Sequence, residues 1–539
     1  MKADLIFAGG TVITVNETDD IATACALRGD RIVYVGDDAG ALELRGNDTR
    51  MVCLEGRTLL PGFIEAHCHI MGWGSSISGL DLKSAESVDE IKTLVADRAH
   101  GLAPGSWIRG RGYNQLNLAE KRHPTRWDLD EVAPDHPVWL TRCCGHILVA
   151  NSAALNLAGL EDSSVDPPGG VMDRDAEGRL TGVLRETAKD PVSEVGSLPP
   201  SELRKHYLVG CADLLRWGIT SAHDMGRSVT VRELMGWHRE EKVPLRVFAT
   251  VSHTVDADQW PDLGGDIYFL QGDRRFRIGH MKVFADGSSS GPTAATREPY
   301  ACDPDDYGVV VTSGEEITSS YVTANRLGFP VTAHAVGDLG IQLVLDGQEV
   351  AMRDRPRRGL SRHYTSAPRH RIEHCAMAFS DLRHRIKAAS VIPVGQAVFL
   401  TDYGDNYVND YGEERAASMF PFRSFLREGV PAVLSSDAPV SHPDPLAGLA
   451  AACERTSRRG QVLGADERIT LMEAIRCYTL HGAYAEYAED VRGSIEVGKL
   501  GDLALVDAPL LELDPADLVR CNVDMTVIGG EVVYERDGS

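Results

Sequence analysis

The 539-residue sequence has no run of 18 consecutive apolar residues, which a membrane-spanning helix requires. Its amino terminus, MKADLIFAGG, has neither the long apolar run nor the small-residue cleavage site of a secretory signal. The 11 cysteines include no CxxC pair, so they fit reduced thiols better than a disulfide framework or a zinc-thiolate site. Together these absences predict a cytoplasmic protein that does not enter a membrane.

Positive charge is also scarce, since 55 Lys and Arg stand against 79 Asp and Glu, a formal net charge of -24. We find no basic stripe that could bind a phosphate backbone and therefore expect no nucleic-acid partner. Hydrophobic content of 43% and charged content of 25% are ordinary for a globular protein. The length allows several domains, or one barrel that carries insertions.

Short strand-like segments with glycine turns occupy both ends of the chain. ADLIFA and TVITV flank Gly9-Gly10, and near the carboxyl end SIEVGKLGDLALVD precedes MTVIGGEVVYER. Neither end holds enough strands for a stable sheet of its own. We therefore predict that residues 1–60 and 490–539 pair into one small β-sandwich domain, with residues 61–489 inserted between them.

The body of the chain alternates strand-like runs with segments of helical spacing, such as Ser84 to Leu102 and the stretch from Ser201. This pattern predicts an α/β fold, a (β/α)8 TIM-like barrel, whose chemistry lies at the carboxyl ends of its strands. We expect a closing helix from Thr470, where Glu473 completes a capping box. The eight predicted strands are PGFIEAHCHI, GITSAHD, PLRVFATVS, RIGHMKVFADG, PVTAHAVGD, RHRIEHCAM, VIPVGQAVF and VPAVLSSDAP.

Residues 104–200 form a long irregular region rich in glycine, proline and asparagine, with PPGG at 167–170 and SLPPSE at 197–202. A segment of this length is too long for a loop in a compact domain. We predict an inserted subdomain, after the first barrel strand, that caps the barrel mouth and shapes a pocket.

The stretch PGFIEAHCHI reads as a short apolar strand that ends in His67 and His69. Side chains alternate between the two faces of a strand, so these imidazoles point the same way and make half of a metal site. The pattern alone is weak, because composition gives roughly 0.6 chance occurrences. Four further polar side chains stand at the ends of later predicted strands: Lys282, His334, His374 and Asp437.

Taken together, several motifs resemble the amidohydrolase superfamily of metal-dependent hydrolases. Within it, the resemblance is greatest to the branch of YtcJ-like proteins and N-substituted formamide deformylases, and it runs over essentially the whole chain. The motifs outside the insertion are PGFIEAHCHI, KVFADGS, TAHAVGD, RIEHC and SSDAPV. Those in the insertion are RGYNQ, PTRWDLDEVAPDHPVWL, GHILVANSAAL and PPGGVMDRDAEGRLTG.

The resemblance implies a site for one or two divalent metal ions, with Lys282 carboxylated by carbon dioxide as the bridge between them. Imidazole and carboxylate ligands suit zinc, with manganese, iron or cobalt as alternatives. The apolar flanks of Lys282 suit the lowered pKa that a carbamate requires, but they also suit a lysine paired with Asp286 or Asp437. The implied ligands are His67, His69 and Asp437 for the first metal, His334 and His374 for the second, and Lys282 for both.

The same resemblance implies hydrolysis of a carbon-nitrogen bond other than a peptide bond. The metal would activate a water molecule, and Asp437 would pass the proton of that water to the departing amine. We expect an N-substituted formamide or another small N-acyl amide as the small-molecule substrate, with His146 and Tyr113 of the insertion as candidate contacts. We also expect a homodimer.

Three other functions stay open. Ring opening of a cyclic amide would use the same two-metal site. Deaminases of the superfamily usually carry a glutamate three residues after the histidine of the fifth strand, and that position here is Gly337, which disfavours deamination. A non-catalytic binding protein of the same fold would be indicated by the loss of a ligand, and all six ligand positions are filled.

Overall fold

A computed structural model describes residues 2–226, 229–252, 270, 272–354 and 368–537 of the chain. The amino-terminal region contains short strands and one helix: β1 (Leu5–Ala8), β2 (Thr11–Ile13), β3 (Ile21–Ala22), β4 (Ala24–Arg28), β5 (Arg31–Gly36), α1 (Asp38–Glu43), β6 (Arg50–Cys53) and β7 (Thr58–Pro61). The next strand, β8 (Phe63–Cys68), contains the first histidine of the predicted site, and helix α2 (Ile70–Ser78) follows it.

The chain then forms an inserted subdomain of strands and helices: β9 (Leu80–Asp81), α3 (Val88–His100), β10 (Ile108–Tyr113), α4 (Arg126–Asp130), β11 (Val138–Arg142), β12 (Ile147–Ala150), α5 (Ser152–Leu157), β13 (Gly170–Arg174), β14 (Leu180–Glu186) and α6 (Asp190–Val195). Its strands make one sheet in the order β13-β14-β12-β11-β10-β9. Most of this sheet is antiparallel, but β10 pairs in parallel with β9 and β11.

The inserted sheet begins upstream of residue 104, because β9 is its edge strand, with Leu80 opposite Gly110. Helix α3 accounts for the helical spacing between residues 84 and 102, but it buries Val88, Ile91 and Val95 in the core of the insertion. An apolar stripe predicts that one face of a helix is covered, and it does not identify the element that covers it.

The remaining elements of the body alternate along the chain: α7 (Pro200–Arg216), β15 (Ile219–Asp224), α8 (Val231–Glu240), β16 (Arg246–Ser252), β17 (Phe276–Phe284), α9 (Gly314–Leu327), β18 (Val331–Ala335), α10 (Asp338–Asp354), β19 (Arg371–His374), α11 (Ser380–Ala388), β20 (Ile392–Gly395), α12 (Val398–Tyr411), α13 (Glu413–Ser418), α14 (Phe422–Arg427), β21 (Val433–Leu434), α15 (Pro445–Glu454), α16 (Leu471–Tyr478) and α17 (Leu480–Ala485). Strands β8 and β15 to β21 form one parallel sheet in chain order, which confirms the predicted (β/α)8 barrel. Helix α16 begins with the predicted capping box, since Thr470 N–H donates to Glu473 Oε2 at 2.7 Å. Of the helices described, none has the length and apolar composition needed to cross a bilayer.

The barrel closes where its first and last strands end. The backbone N–H of Asp437 donates to the carbonyl of His67 at 2.9 Å. The backbone N–H of Ser436 donates to the Glu65 carboxylate, at 3.1 Å from Oε1. Two predicted metal ligands, His67 and Asp437, and their neighbours Glu65 and Ser436 therefore make the hydrogen bonds that join the two edges of the barrel.

Strands from both termini combine beside the barrel. The carboxyl-terminal strands are β22 (Leu503–Val506), β23 (Val523–Ile528) and β24 (Glu531–Glu535), and they complete a sheet in the order β24-β23-β22-β7-β2-β3. A second sheet, β5-β4-β1-β6, shares a buried apolar core with it that includes Phe7, Leu27, Leu59 and Met525. The two sheets form the predicted β-sandwich.

Helices α2 and α7 pack backbone to backbone at two glycines. A Cβ atom added to Gly74 would lie 1.8 Å from the carbonyl oxygen of His206, and one added to Gly210 would lie 2.3 Å from that of Ile70. We expect Gly74→Ala to lower the free energy of unfolding by about 1–3 kcal/mol, because the helices must separate to admit the methyl group. Chemical denaturation measures this change.

Gly236→Ala in α8 is the matched control, since a Cβ there meets nothing within 4 Å. Higher helix propensity is expected to make this variant more stable by about 0.5–1 kcal/mol. Equal stability of Gly74→Ala and wild type would contradict the tight packing of α2 on α7.

Candidate metal centre

A cavity of about 780 Å³ lies where the barrel strands end, and all six predicted ligands line it. Strands β8, β17, β18 and β19 supply four of them, and the turns after β8 and β21 supply the other two. Parallel strands end at the same rim of a barrel, which brings together residues far apart in sequence. The six residues are His67, His69, Lys282, His334, His374 and Asp437.

His67, His69 and Asp437 form the tightest cluster, since one ligand atom from each lies within 4.8 Å of the others. Asp437 Oδ1 lies 3.5 Å from His67 Nε2 and 3.4 Å from His69 Nε2. This oxygen is buried and accepts no hydrogen bond from the described part of the chain. A buried carboxylate oxygen without a donor is costly. The three side chains therefore fit a divalent cation, for which imidazole nitrogen and carboxylate oxygen are ordinary ligands.

In each of three buried imidazoles, one ring nitrogen donates a hydrogen bond to the protein. The other nitrogen then keeps its lone pair, which could bind a metal ion. His67 Nδ1–H donates to Glu373 Oε2 at 2.5 Å, so Nε2 is its acceptor. His374 Nδ1–H donates to Gln396 Oε1 at 2.8 Å, and His334 Nε2–H donates to the carbonyl of Gly287 at 2.9 Å. Such contacts select the tautomer and orient the ring of a metal-binding histidine.

The charge states also suit a metal site. Burial lowers the pKa of His67 to about 3, and the positive charge of Lys282 adds to this shift. Burial likewise lowers the pKa values of His334 and His374. Burial alone would raise the pKa of Asp437, but the neighbouring imidazoles, that of His67 above all, lower it below its usual value. The lowered pKa values of His67, His334 and His374 favour neutral imidazoles, and that of Asp437 favours an ionised carboxylate, as ligation requires.

Two of the ligands have an uncommon backbone conformation. His374 has a φ of 67° and Asp437 a φ of 58°, both in the left-handed region. Residues other than glycine seldom adopt this region, and when they do they cluster at functional sites.

Lys282 lies beside the imidazoles of His334 and His374, whose ring centroids are 4.5 Å apart. It is 5% exposed, and its Nζ lies 5.0 Å from the centre of the Phe284 ring. Its charge acts on both imidazoles, where it adds to the lowering of their pKa values by burial. An ammonium group has no lone pair, so Lys282 can bind a metal only as the neutral amine or after carboxylation.

A buried network of charged side chains under the site was not predicted from the sequence. Arg371 Nε donates to Glu373 Oε1 at 2.8 Å, and Arg371 Nη1 donates to His223 Nδ1 at 2.6 Å. His223 Nε2 lies 3.5 Å from Glu486 Oε2, and Arg492 Nε donates to Glu486 Oε1 at 2.7 Å. Glu373 also holds His67, so this network supports the first metal ligand from inside the barrel. The sequence signal for this network was the strand RIEH, in which Arg371 and Glu373 lie two residues apart and so share one face of the strand.

The insertion contributes one more histidine to the cavity. His146 Nδ1–H donates to Glu186 Oε2 at 2.7 Å, and Thr293 Oγ1 donates to the other carboxylate oxygen at 2.7 Å. Burial opposes a charged imidazole, but the Glu186 carboxylate outweighs it and raises the pKa of His146. The His146 ring lies 5.5 Å from that of His334, which places it beside the candidate ligands.

Tyr113, the other candidate substrate contact, lies elsewhere. Its ring is fully buried in the core of the insertion with Val138 and Leu140, and its hydroxyl group is 3.0 Å from His123 Nδ1. It is not among the described residues that line the cavity. Tyr113 is the last residue of strand β10, and its side chain packs into the core of the insertion. The motif RGYNQ alone does not show which side of the strand this side chain lies on.

Two of the curated relatives that match nearly the whole chain bear on its function. The Bacillus subtilis (strain 168) protein YtcJ is 31% identical, over 99% of this chain and 100% of its own. The N-substituted formamide deformylase of Arthrobacter pascens is 29% identical, over 99% of both chains.

Solved structures agree with the fold of the whole chain. A metal-dependent hydrolase from Pyrococcus furiosus is similar at a TM-score of 0.72 and 28% identity, over 95% of this chain and 99% of that one. Another, from Pyrococcus horikoshii OT3, has a TM-score of 0.74 at 26% identity, over 98% of this chain and 99% of that one. The family model described as Amidohydrolase family matches residues 50–534. The chain belongs to this amidohydrolase family and is a hydrolase.

Proposed function

We propose that this enzyme hydrolyses the carbon-nitrogen bond of a small N-acyl amide, with an N-substituted formamide as the favoured substrate. The observation that carries the proposal is the cluster of His67, His69 and Asp437, which shares one cavity with Lys282, His334 and His374. The full-length similarity to an N-substituted formamide deformylase supports the choice of substrate.

We favour zinc as the metal, with manganese, iron or cobalt as alternatives. When bound, a divalent ion would lower the pKa of a water molecule and polarise the scissile carbonyl group. His67, His69 and Asp437 would hold one ion, and His334 with His374 a second. Carboxylation of Lys282, by reaction of its deprotonated amine with carbon dioxide, would give it the anionic oxygens that a shared ligand needs.

Asp437 is the residue that moves the proton. Its carboxylate is ionised, and its buried Oδ1 has no donor in the described structure. It accepts the proton of the attacking water and returns it to the nitrogen of the departing amine. The second transfer matters, because an amide anion is a poor leaving group.

His146 orients the substrate from the side of the insertion. Glu186 and Thr293 fix the position of its imidazole, whose Nε2–H donates to an oxygen of the substrate. The ion pair with Glu186 favours the protonated form of this donor, since it raises the pKa of His146.

The backbone at Gly337 argues against deamination. A Cβ atom at this position would lie 1.9 Å from the carbonyl oxygen of Ala295, so no glutamate fits there. The Gly337 N–H donates to Asp286 Oδ2 at 2.8 Å, and Asp286 also accepts the N–H of Val336 and of Ala295. These hydrogen bonds hold the backbone in place.

Amine release from N-formyl amines of graded size tests the proposal directly. We expect the zinc-loaded enzyme to release amine and formate in equal amounts, with N-acetyl analogues cleaved more slowly. A chelator should remove the activity, and added zinc should restore it, because the water is not activated without a metal ion. A metal-loaded enzyme that opens cyclic amides but leaves linear N-formyl and N-acetyl amines intact would contradict the proposal.

A further inference from the structure

Arg111, on strand β10 of the insertion, lines the cavity that holds the candidate metal ligands. Its Nη2 donates to the carbonyl of Cys143 at 3.2 Å. Its Nε is buried and makes no hydrogen bond, and no carboxylate in the described parts of the chain forms an ion pair with its guanidinium group. A cation in this position has satisfied only part of its donor capacity.

Three other charged side chains that line the cavity have hydrogen-bond partners for their charged groups. Glu186 accepts hydrogen bonds from His146 and Thr293, and Asp286 accepts three backbone N–H groups. Lys189 donates to the carbonyl of Gly145 at 2.7 Å. Arg111 also donates to a carbonyl oxygen, but its buried Nε has no acceptor in the described parts of the chain.

The Arg111 side chain is only partly exposed, and removing a guanidinium group from water without a carboxylate partner costs free energy. Burial lowers the pKa of Arg111. Arg111 lines the same cavity as Asp437 and the other candidate metal ligands, so its guanidinium group lies in the pocket that would hold the substrate. An anionic group on the substrate would supply the missing acceptors.

We propose that Arg111 binds a carboxylate group of the substrate, so that the preferred substrates are N-acyl amines that carry a carboxylate, such as N-formyl and N-acetyl amino acids. The guanidinium fork matches a carboxylate with two parallel hydrogen bonds. This inference rests on the proposed amide hydrolysis. It narrows the substrates of that reaction to N-acyl amines that carry a negative charge.

Specificity ratios test the role of Arg111. The two substrates are an N-formyl amino acid and the neutral N-formyl amine that lacks only its carboxylate, and the ratio of their kcat/KM values is the readout. We expect wild type to prefer the anionic substrate by at least about 10-fold and up to about 100-fold, as the loss of a charge-assisted hydrogen bond predicts. Arg111→Met should reduce this ratio to near one, and Arg111→Lys should retain part of it.

Arg109→Met is the matched control, because Arg109 lies two residues earlier on the same strand. Its Nη2 donates to the carbonyl of Gly196, its guanidinium lies 5.3 Å from the centre of the Trp107 ring, and it does not line the cavity. We expect this variant to keep the wild-type ratio. An unchanged ratio in Arg111→Met, or a wild-type preference for the neutral substrate, would overturn the proposal.

A binding measurement separates this inference from the amide hydrolysis on which it rests. If neither substrate is cleaved, titration calorimetry with 3-phenylpropionate and with the neutral 3-phenylpropanol still reports on Arg111. At least about 10-fold weaker binding of the carboxylate to Arg111→Met than to wild type would support the assignment. Equal binding of the carboxylate to both proteins would refute it.

Discussion

Asp437→Asn is expected to lower kcat by at least about 10³-fold, because asparagine cannot accept the proton of the attacking water. The substitution keeps the size of the side chain and one oxygen that could still bind a metal. The imidazoles around Asp437 hold its pKa below the usual value, so the wild-type side chain is ionised and offers an oxygen that the amide of asparagine does not. Steady-state kinetics with an N-formyl amine, together with metal content by elemental analysis, measure the effect.

The control is Asp444→Asn, a substitution of the same kind outside the cavity. Asp444 caps helix α15 by accepting the N–H of Leu446, and asparagine caps a helix equally well. We therefore expect Asp444→Asn to keep wild-type kinetics. Full activity of Asp437→Asn with its metal retained would rule out Asp437 as the proton carrier.

Lys282→Ala is expected to reduce the metal content from about two ions per chain to one or none, and to lower kcat/KM by at least about 10²-fold. A bridging carbamate would bind both ions, so its removal affects both. Labelling with ¹³C-bicarbonate gives a second readout, since the wild type should show a carbamate resonance that the variant lacks. One metal ion in both proteins would mean that Lys282 is not a bridge and that the chemistry uses a single ion.

The sequence predicts the barrel well because its strands are short apolar runs with polar residues at their ends. In a parallel barrel those ends meet, so side chains as distant in sequence as His67 and His374 could be grouped before their positions were known. The structure places these residues and the other predicted ligands in one cavity. The terminal strands were likewise predictable, because neither set alone can make a stable sheet.

The features that the sequence does not reveal depend on which elements of the fold pack against one another. Helix α3 has a clear apolar stripe, yet the stripe faces the insertion rather than the barrel. Tyr113 stands in a motif beside polar residues, yet it packs in the core of the insertion. The partners of Arg371 come from β8, β15 and β19, and a contact between different strands depends on the register of the barrel.

The order in which the chain is synthesised bears on the joint between the first and last barrel strands. Glu65 and Ser436, which hydrogen-bond across that joint, are 371 residues apart in sequence. At roughly 5–20 residues per second, a ribosome needs on the order of 20–75 s between the two. The first two histidines of the cluster thus leave the ribosome long before Asp437 is made.

A truncated product that ends before β21 lacks the third member of the cluster and leaves β20 as an open sheet edge, a known aggregation hazard. The candidate metal centre is therefore complete only on chains whose synthesis has passed the last barrel strand.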